Sequence, residues 1–208
     1  MLTANPKIYR YAAWGVLAVV LALILCTFLD YGITWDEELQ SQYGLAIVDY
    51  YKSGFHDQRY AEIFNLYLYG GMFDGLASIV DRFTPFRVYD TRHLVNALFG
   101  LLGLWGVWRL GRLLGGEAAG LVALVLCAST PVYYGHMFNN PKDIPFAAGI
   151  IWTLYFMFRS YAKPSPSVLP TCGLVPAANS CRLLSVSMSR SNAASALLFL
   201  SSGGCASS

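Results

Sequence analysis

Residues 11–29 (YAAWGVLAVVLALILCTFL) form an unbroken run of nineteen uncharged positions. Three further apolar runs follow at 94–111, 118–135 and 144–161, with charges only near their ends. A helix rises about 1.5 Å per residue and the hydrocarbon core of a bilayer is about 30 Å thick, so these runs predict four membrane-spanning helices. A cleavable leader would also begin with Lys7 and Arg10 before an apolar core. No small-x-small cleavage site follows the first run, however, and more apolar segments come later. The stretch between the first two runs, 30–93, has a different texture. Thr34-Trp35-Asp36-Glu37 fits a capping box, after which Leu39, Tyr43, Ile47 and Tyr50 recur at helical spacing. Beyond a polar break at Lys52–Gln58, the positions Met72, Phe73, Leu76, Ile79, Val80 and Phe83 repeat the pattern. Two amphipathic helices in the membrane interface are expected there. The predicted fold is all-α: a multi-pass helical membrane protein of about four spans.

Charge adds direction. The 208 residues are 56% hydrophobic and 12% charged, against about 25% charged in an ordinary soluble domain. A chain this apolar is not disordered, and a net charge of +2 is no nucleic-acid footprint. Residues 30–93 hold ten of the twelve acidic side chains and five of the fourteen basic ones. Six of the nine bases outside this loop form three groups at the ends of the runs: Lys7 and Arg10 before the first, Arg109 and Arg112 where the second and third join, Arg159 and Lys163 at the end of the fourth. Basic residues in short loops stay on the cytoplasmic side. The N-terminus is therefore expected in the cytoplasm, with the loop 30–93 and the connection His136–Asp143 exported.

The exported side carries the chemistry. Asp36, Glu37 and Glu38 in a helix's first turn would complement its dipole, at about 0.3–1 kcal/mol each, and need no other role. That does not account for their place some six residues beyond a span, where any lipid-facing cavity on that side would open. His136, Asn139, Asn140, Lys142 and Asp143 make a second polar cluster on the same side. An Asn-Asn-Pro run is a turn signal, but Asp143 opens a span, where a carboxylate at mid-depth costs about 2.5–3.5 kcal/mol on insertion scales. The histidines and acids show no metal-like spacing. No dinucleotide or P-loop motif occurs. Cys26 and Cys127 lie inside spans, so no disulfide framework is expected.

The ordered series of features resembles the N-terminal part of the GT-C superfamily, integral-membrane glycosyltransferases that use lipid-phosphate sugars. Within that superfamily it looks like the dolichyl-phosphate-mannose protein mannosyltransferases and the lipid A aminoarabinose transferases. The features are Trp35-Asp36-Glu37 after a first span and Tyr43-Gly44 shortly beyond. Then come two interfacial helices and Arg92 leading into a glycine-rich span, Leu110-Gly111-Arg112 and Gly115-Gly116, Pro131, and Asp143-x-Pro145. The likeness covers about residues 10–160. It departs from the protein mannosyltransferases at Tyr69-Gly70-Gly71-Met72-Phe73-Asp74, where that family carries His-Pro-Pro.

The resemblance implies inverting transfer of a hexosyl or pentosyl group from a polyprenyl-phosphate donor to a hydroxyl on a glycan, lipid or protein acceptor. Asp36 takes the family's catalytic acidic position as base, with Glu37 supporting it. Arg92 would grip the phosphate, since a guanidinium can hold two oxygens at once, and His136 and Asp143 would contact substrate. Some family members use a divalent metal and others do not, and none is assigned. The competing expectations are a transport or assembly subunit with His136 and Asp143 along a polar path, and a partner-docking platform. No retention signal is present and the loops are short, which favours a bacterial plasma membrane over the endoplasmic reticulum.

Composition changes at Pro164. Residues 164–208 contain twelve serines, three of the five cysteines and no acid. The expected division is a GT-C-like region at 1–163 and a serine-rich tail at 164–208. The latter is either a flexible cytoplasmic tail or, as the stronger hypothesis, aberrant or frame-shifted sequence on a truncated copy that lacks the further spans of the family.

Overall fold

The computed structural model describes residues 5–162, and every regular element among them is helical. The first helix, α1, spans Pro6–Thr27. Its start follows from two residues: the Asn5 side chain accepts from the Lys7 amide at 3.0 Å, and Pro6 sits where no N–H is needed. Its 22 residues extend for about 33 Å. Ala13, Leu17, Val20 and Ile24 form one buried stripe, while Trp14, Val19, Leu23 and Leu25 are exposed. A helix apolar on all faces and covered on only one suits lipid rather than water.

The loop region folds into α2, Glu37–Lys52, and α3, Met72–Asp81, linked through short 3-10 turns at Arg59–Ala61 and Leu66–Leu68. Both amphipathic patterns become helices, but only part of each predicted apolar face is buried. Tyr43 and Ile47 in α2 and Phe73 in α3 are, whereas Met72, Leu76 and Ile79 face outward and Phe83 lies beyond the end of α3. Tyr43 and Ile47 pack with Leu66, and Phe73 and Ala77 pack on Val95 of the next helix. Gly44 permits the approach, since a Cβ there would overlap the Asp74 backbone carbonyl of α3.

The element α4, Val88–Ala128, is two antiparallel limbs. Gly116 has φ 83° and ψ −176°, a region that glycine alone populates readily. In a continuous helix residues 108 and 120 would be about 18 Å apart. Instead a Cβ on Gly120 would lie 2.9 Å from the Trp108 carbonyl oxygen and 3.0 Å from the Arg112 nitrogen. The chain therefore reverses at Gly115-Gly116, as the sequence leads one to expect. By length and composition α1 and α4 are the two described helices apolar enough to cross a membrane.

The third apolar run, expected as one span over 118–135, is interrupted. The helix stops at Ala128, and α5 begins afresh at Pro131 and runs to Asn139. Proline has no N–H to continue the ladder, and the Ser129 and Thr130 hydroxyls both donate back to the Leu126 carbonyl, at 3.2 and 2.8 Å. The last helix, α6, covers Asp143–Ala162. Gly100, Gly103 and Gly106 line one face of α4. Side chains there would collide with Met137, with the Tyr133 hydroxyl and with Ile151 respectively, so α5 and α6 sit almost on the α4 backbone. The Tyr133 hydroxyl donates to the Gly100 carbonyl at 2.8 Å, and the Trp152 indole to that of Leu102 at 3.1 Å.

This packing sorts the charges by end. At one end Arg10 and Arg112 both reach Glu117, at 3.3 and 2.6 Å, and Arg109 and Arg159 both donate to the Tyr155 hydroxyl, at 2.6 and 3.0 Å. At the other end Tyr31 stacks on Phe138 with ring centroids 3.9 Å apart, and Asp36 meets Lys142. Arg10, Arg109, Arg112 and Arg159 are thus gathered at one end, while Lys142 lies at the other.

Candidate active site

The loop after α1 is tied down before it reaches Asp36. Tyr31 is held by its stack on Phe138, and Glu37 fastens the next turn. Glu37 is buried. One carboxylate oxygen accepts from the Thr34 amide at 2.7 Å, and the other lies 2.8 Å from His93 Nε2 at the start of α4. The capping-box bond from Glu37 thus forms, although Asp36 rather than Thr34 is the residue at the helix boundary. The consequence is positional: the Glu37 side chain turns inward while that of Asp36 is left facing outward.

Asp36 borders a polar cavity of about 740 Å³ between the start of α2 and the α5–α6 turn. Its Oδ2 accepts from Lys142 Nζ at 2.7 Å and from Gln40 Nε2 at 3.4 Å. The hydrogen bond from Lys142 holds the Asp36 carboxyl below the ordinary carboxylate range, against a smaller opposing effect of partial burial. Across the cavity Asn140 organises the turn. Its amide nitrogen is 2.8 Å from His136 Nδ1 and 2.9 Å from the Asp143 carboxylate, while its oxygen accepts from the Asp143 amide at 3.1 Å. Buried Asn96 of α4 anchors the turn from below by donating to the His136 carbonyl at 3.1 Å.

Three of the five residues singled out from the sequence, Asp36, His136 and Asp143, line this one cavity. They come from segments a hundred residues apart. Glu37 lies beneath it, bonded to Thr34 and His93. Arg92 is not brought to the cavity; it is buried, ion-paired with Asp74 and placed over the Phe73 ring at 5.6 Å. Burial pushes the Asp74 carboxyl up and outweighs the opposing effect of Arg92. Sequence reasoning placed Lys142 in the polar cluster without a role and passed over Gln40. The available signal for Lys142 was its standing as the single cation between the third and fourth apolar runs. Gln40 lies one helical turn beyond Asp36. Among the described residues no group of three His, Cys, Asp or Glu side chains is arranged as a metal set.

An all-helical membrane fold with a carboxylate-bearing polar cavity at one end defines the class of protein. Residues 90–188 match the family model of the dolichyl-phosphate-mannose-protein mannosyltransferases. The match takes in Arg92, His136, Lys142 and Asp143 and leaves Asp36 and Glu37 outside it. It supports a glycosyltransferase of the GT-C type. No curated protein and no solved structure matched the chain. The serine-rich segment 164–208 lies outside the described residues.

Proposed function

We propose that this protein transfers a sugar from a polyprenyl-phosphate donor to a hydroxyl acceptor, with Asp36 as the general base. The observation that carries the reading is the cavity itself. It joins Asp36 to His136, Asn140, Lys142 and Asp143 at the end of the bundle away from Arg10, Arg109, Arg112 and Arg159. With the basic end in the cytoplasm, the cavity opens at the outer membrane face. The crossings would then be α1, the two limbs of α4 with α5 continuing the second, and α6, in the plasma membrane of a bacterium. In the reaction the acceptor hydroxyl gives its proton to Asp36 and its oxygen attacks the anomeric carbon. The bond from that carbon to the phosphate oxygen breaks, and polyprenyl phosphate leaves with the electron pair. Attack opposite the leaving group inverts the anomeric centre. His136 and Asp143 contact the sugar or acceptor. Glu37 and Arg92 act from beneath, holding α2 and α3 against α4.

The test is transfer from a polyprenyl-phosphate sugar by the membrane-reconstituted chain. Asp36→Asn is expected to lower kcat by roughly 100- to 10,000-fold, the usual range for loss of a general base. Unchanged transfer in this variant would remove Asp36 from the mechanism, and absence of transfer by the wild type would favour a transport or assembly role.

A further inference from the structure

We infer that Lys142 is the phosphate-binding residue of the cavity and that it exchanges partners, leaving Asp36 for the phosphate of an incoming lipid-phosphate sugar. This rests on the donor-site reading above. The cavity lining holds one lysine and no arginine, and the nearest buried guanidinium, Arg92, is committed to Asp74. A phosphate entering the cavity therefore meets Lys142 as its cation. Lys142 is 24% and Asp36 48% exposed in the side chain, so their 2.7 Å bond faces the cavity rather than being sealed behind it. Such a pair is weak and open to competition. The donor's phosphodiester, singly charged on arrival, offers two charge-sharing oxygens and gains a second negative charge as its bond to the sugar breaks, which strengthens its hold on an ammonium.

The reaction geometry requires the exchange. In an in-line displacement the acceptor oxygen lies between the base and the anomeric carbon, with the phosphate beyond. Lys142 cannot hold both Asp36 and the departing phosphate across that distance. Its four-carbon stem allows the ammonium to swing, while Gln40 stays behind as a neutral partner for Asp36. Once Lys142 has moved, Asp36 loses the contact that weakens it as a base. Donor binding thus prepares the carboxylate for the acceptor, and the resting pair guards against a charged base standing free in the empty site.

The experiment measures binding of undecaprenyl monophosphate to the full chain in phosphatidylcholine nanodiscs, with inorganic phosphate as a separate competitor. Lys142→Met should weaken lipid-phosphate binding by roughly 10- to 100-fold, and Lys142→Arg should restore most of it. Asp36→Asn should tighten binding several-fold, because the lysine is no longer held, and that gain should shrink markedly in the Asp36→Asn/Lys142→Met double variant. The double variant separates release of the lysine from simple loss of a repelling carboxylate. Binding by the wild type that is unaffected by Lys142→Met would overturn the inference and leave the glycosyltransferase reading standing. An equal gain from Asp36→Asn with and without Lys142 would also overturn it. Displacement by inorganic phosphate at equal concentration would assign the site to free phosphate instead. No binding of the lipid phosphate by the wild type would overturn this inference together with the donor-site reading.

Discussion

Asp36 and Glu37 are neighbours of identical charge with opposite placements. Asp36 faces the cavity and Glu37 is buried against His93, because Glu37 is the residue three positions from Thr34 and turns back to its amide. Removing Glu37 strands a buried imidazole and a backbone N–H. Each orphaned group costs about 1–3 kcal/mol, so Glu37→Ala should lower the midpoint of thermal unfolding in detergent. Glu37→Gln, which keeps an acceptor, should lower it less. The pH response of Asp36 has a definite sign. Its folded pKa lies below the ordinary value of about 3.9, so the unfolded chain binds more protons in the interval between the two. The stability from the Lys142 contact is then fully present above the ordinary value and is lost as pH falls through the folded one. Thermal unfolding between about pH 2.5 and 6 should show an acid limb that flattens in Lys142→Met.

At the scale of elements the decisive feature is the reversal within α4. Gly116 has open space where a side chain would begin, so Gly116→Ala meets only backbone strain, about 1–3 kcal/mol for a non-glycine residue in this region. Gly120 is different, since its added carbon would meet the backbone of the opposite limb at Trp108 and Arg112. Gly120→Val should therefore push the limbs apart and cost at least the roughly 1–3 kcal/mol of an overpacked core. It should also loosen the Arg112–Glu117 pair at the turn. Thermal unfolding of the two variants, compared side by side, checks the order: the valine should lose more stability although its backbone conformation is ordinary. The stop at Ser129-Thr130 was legible in hindsight from Pro131. Hydropathy alone joined the two helices because all the residues across the break are uncharged.

For the whole molecule, the separation of charge into two ends leads to a topological prediction. In a background without native cysteines, Gln58→Cys in the loop before α3 should react with a membrane-impermeant maleimide on intact cells. Leu114→Cys, at the α4 reversal, should react only after lysis. The opposite pattern would place the cavity on the cytoplasmic side. Apolar runs, two amphipathic periodicities and the Gly-Gly reversal were determined by the sequence alone, because helical spacing and span length are local properties that need no partner. The sharing of one cavity by Asp36, His136 and Asp143 was not, since it depends on how the α2 start meets the α5–α6 turn. Nor could the sequence decide between surface and interior for its charged residues. Arg92 reads as a phosphate clamp in one dimension, yet packing buries it against Asp74. Lys142 reads as a turn residue, yet folding sets it on the carboxylate of Asp36. Charge and spacing are written in the chain, but which charges meet is decided by long-range packing, through the close approach that Gly44, Gly100, Gly103 and Gly106 allow.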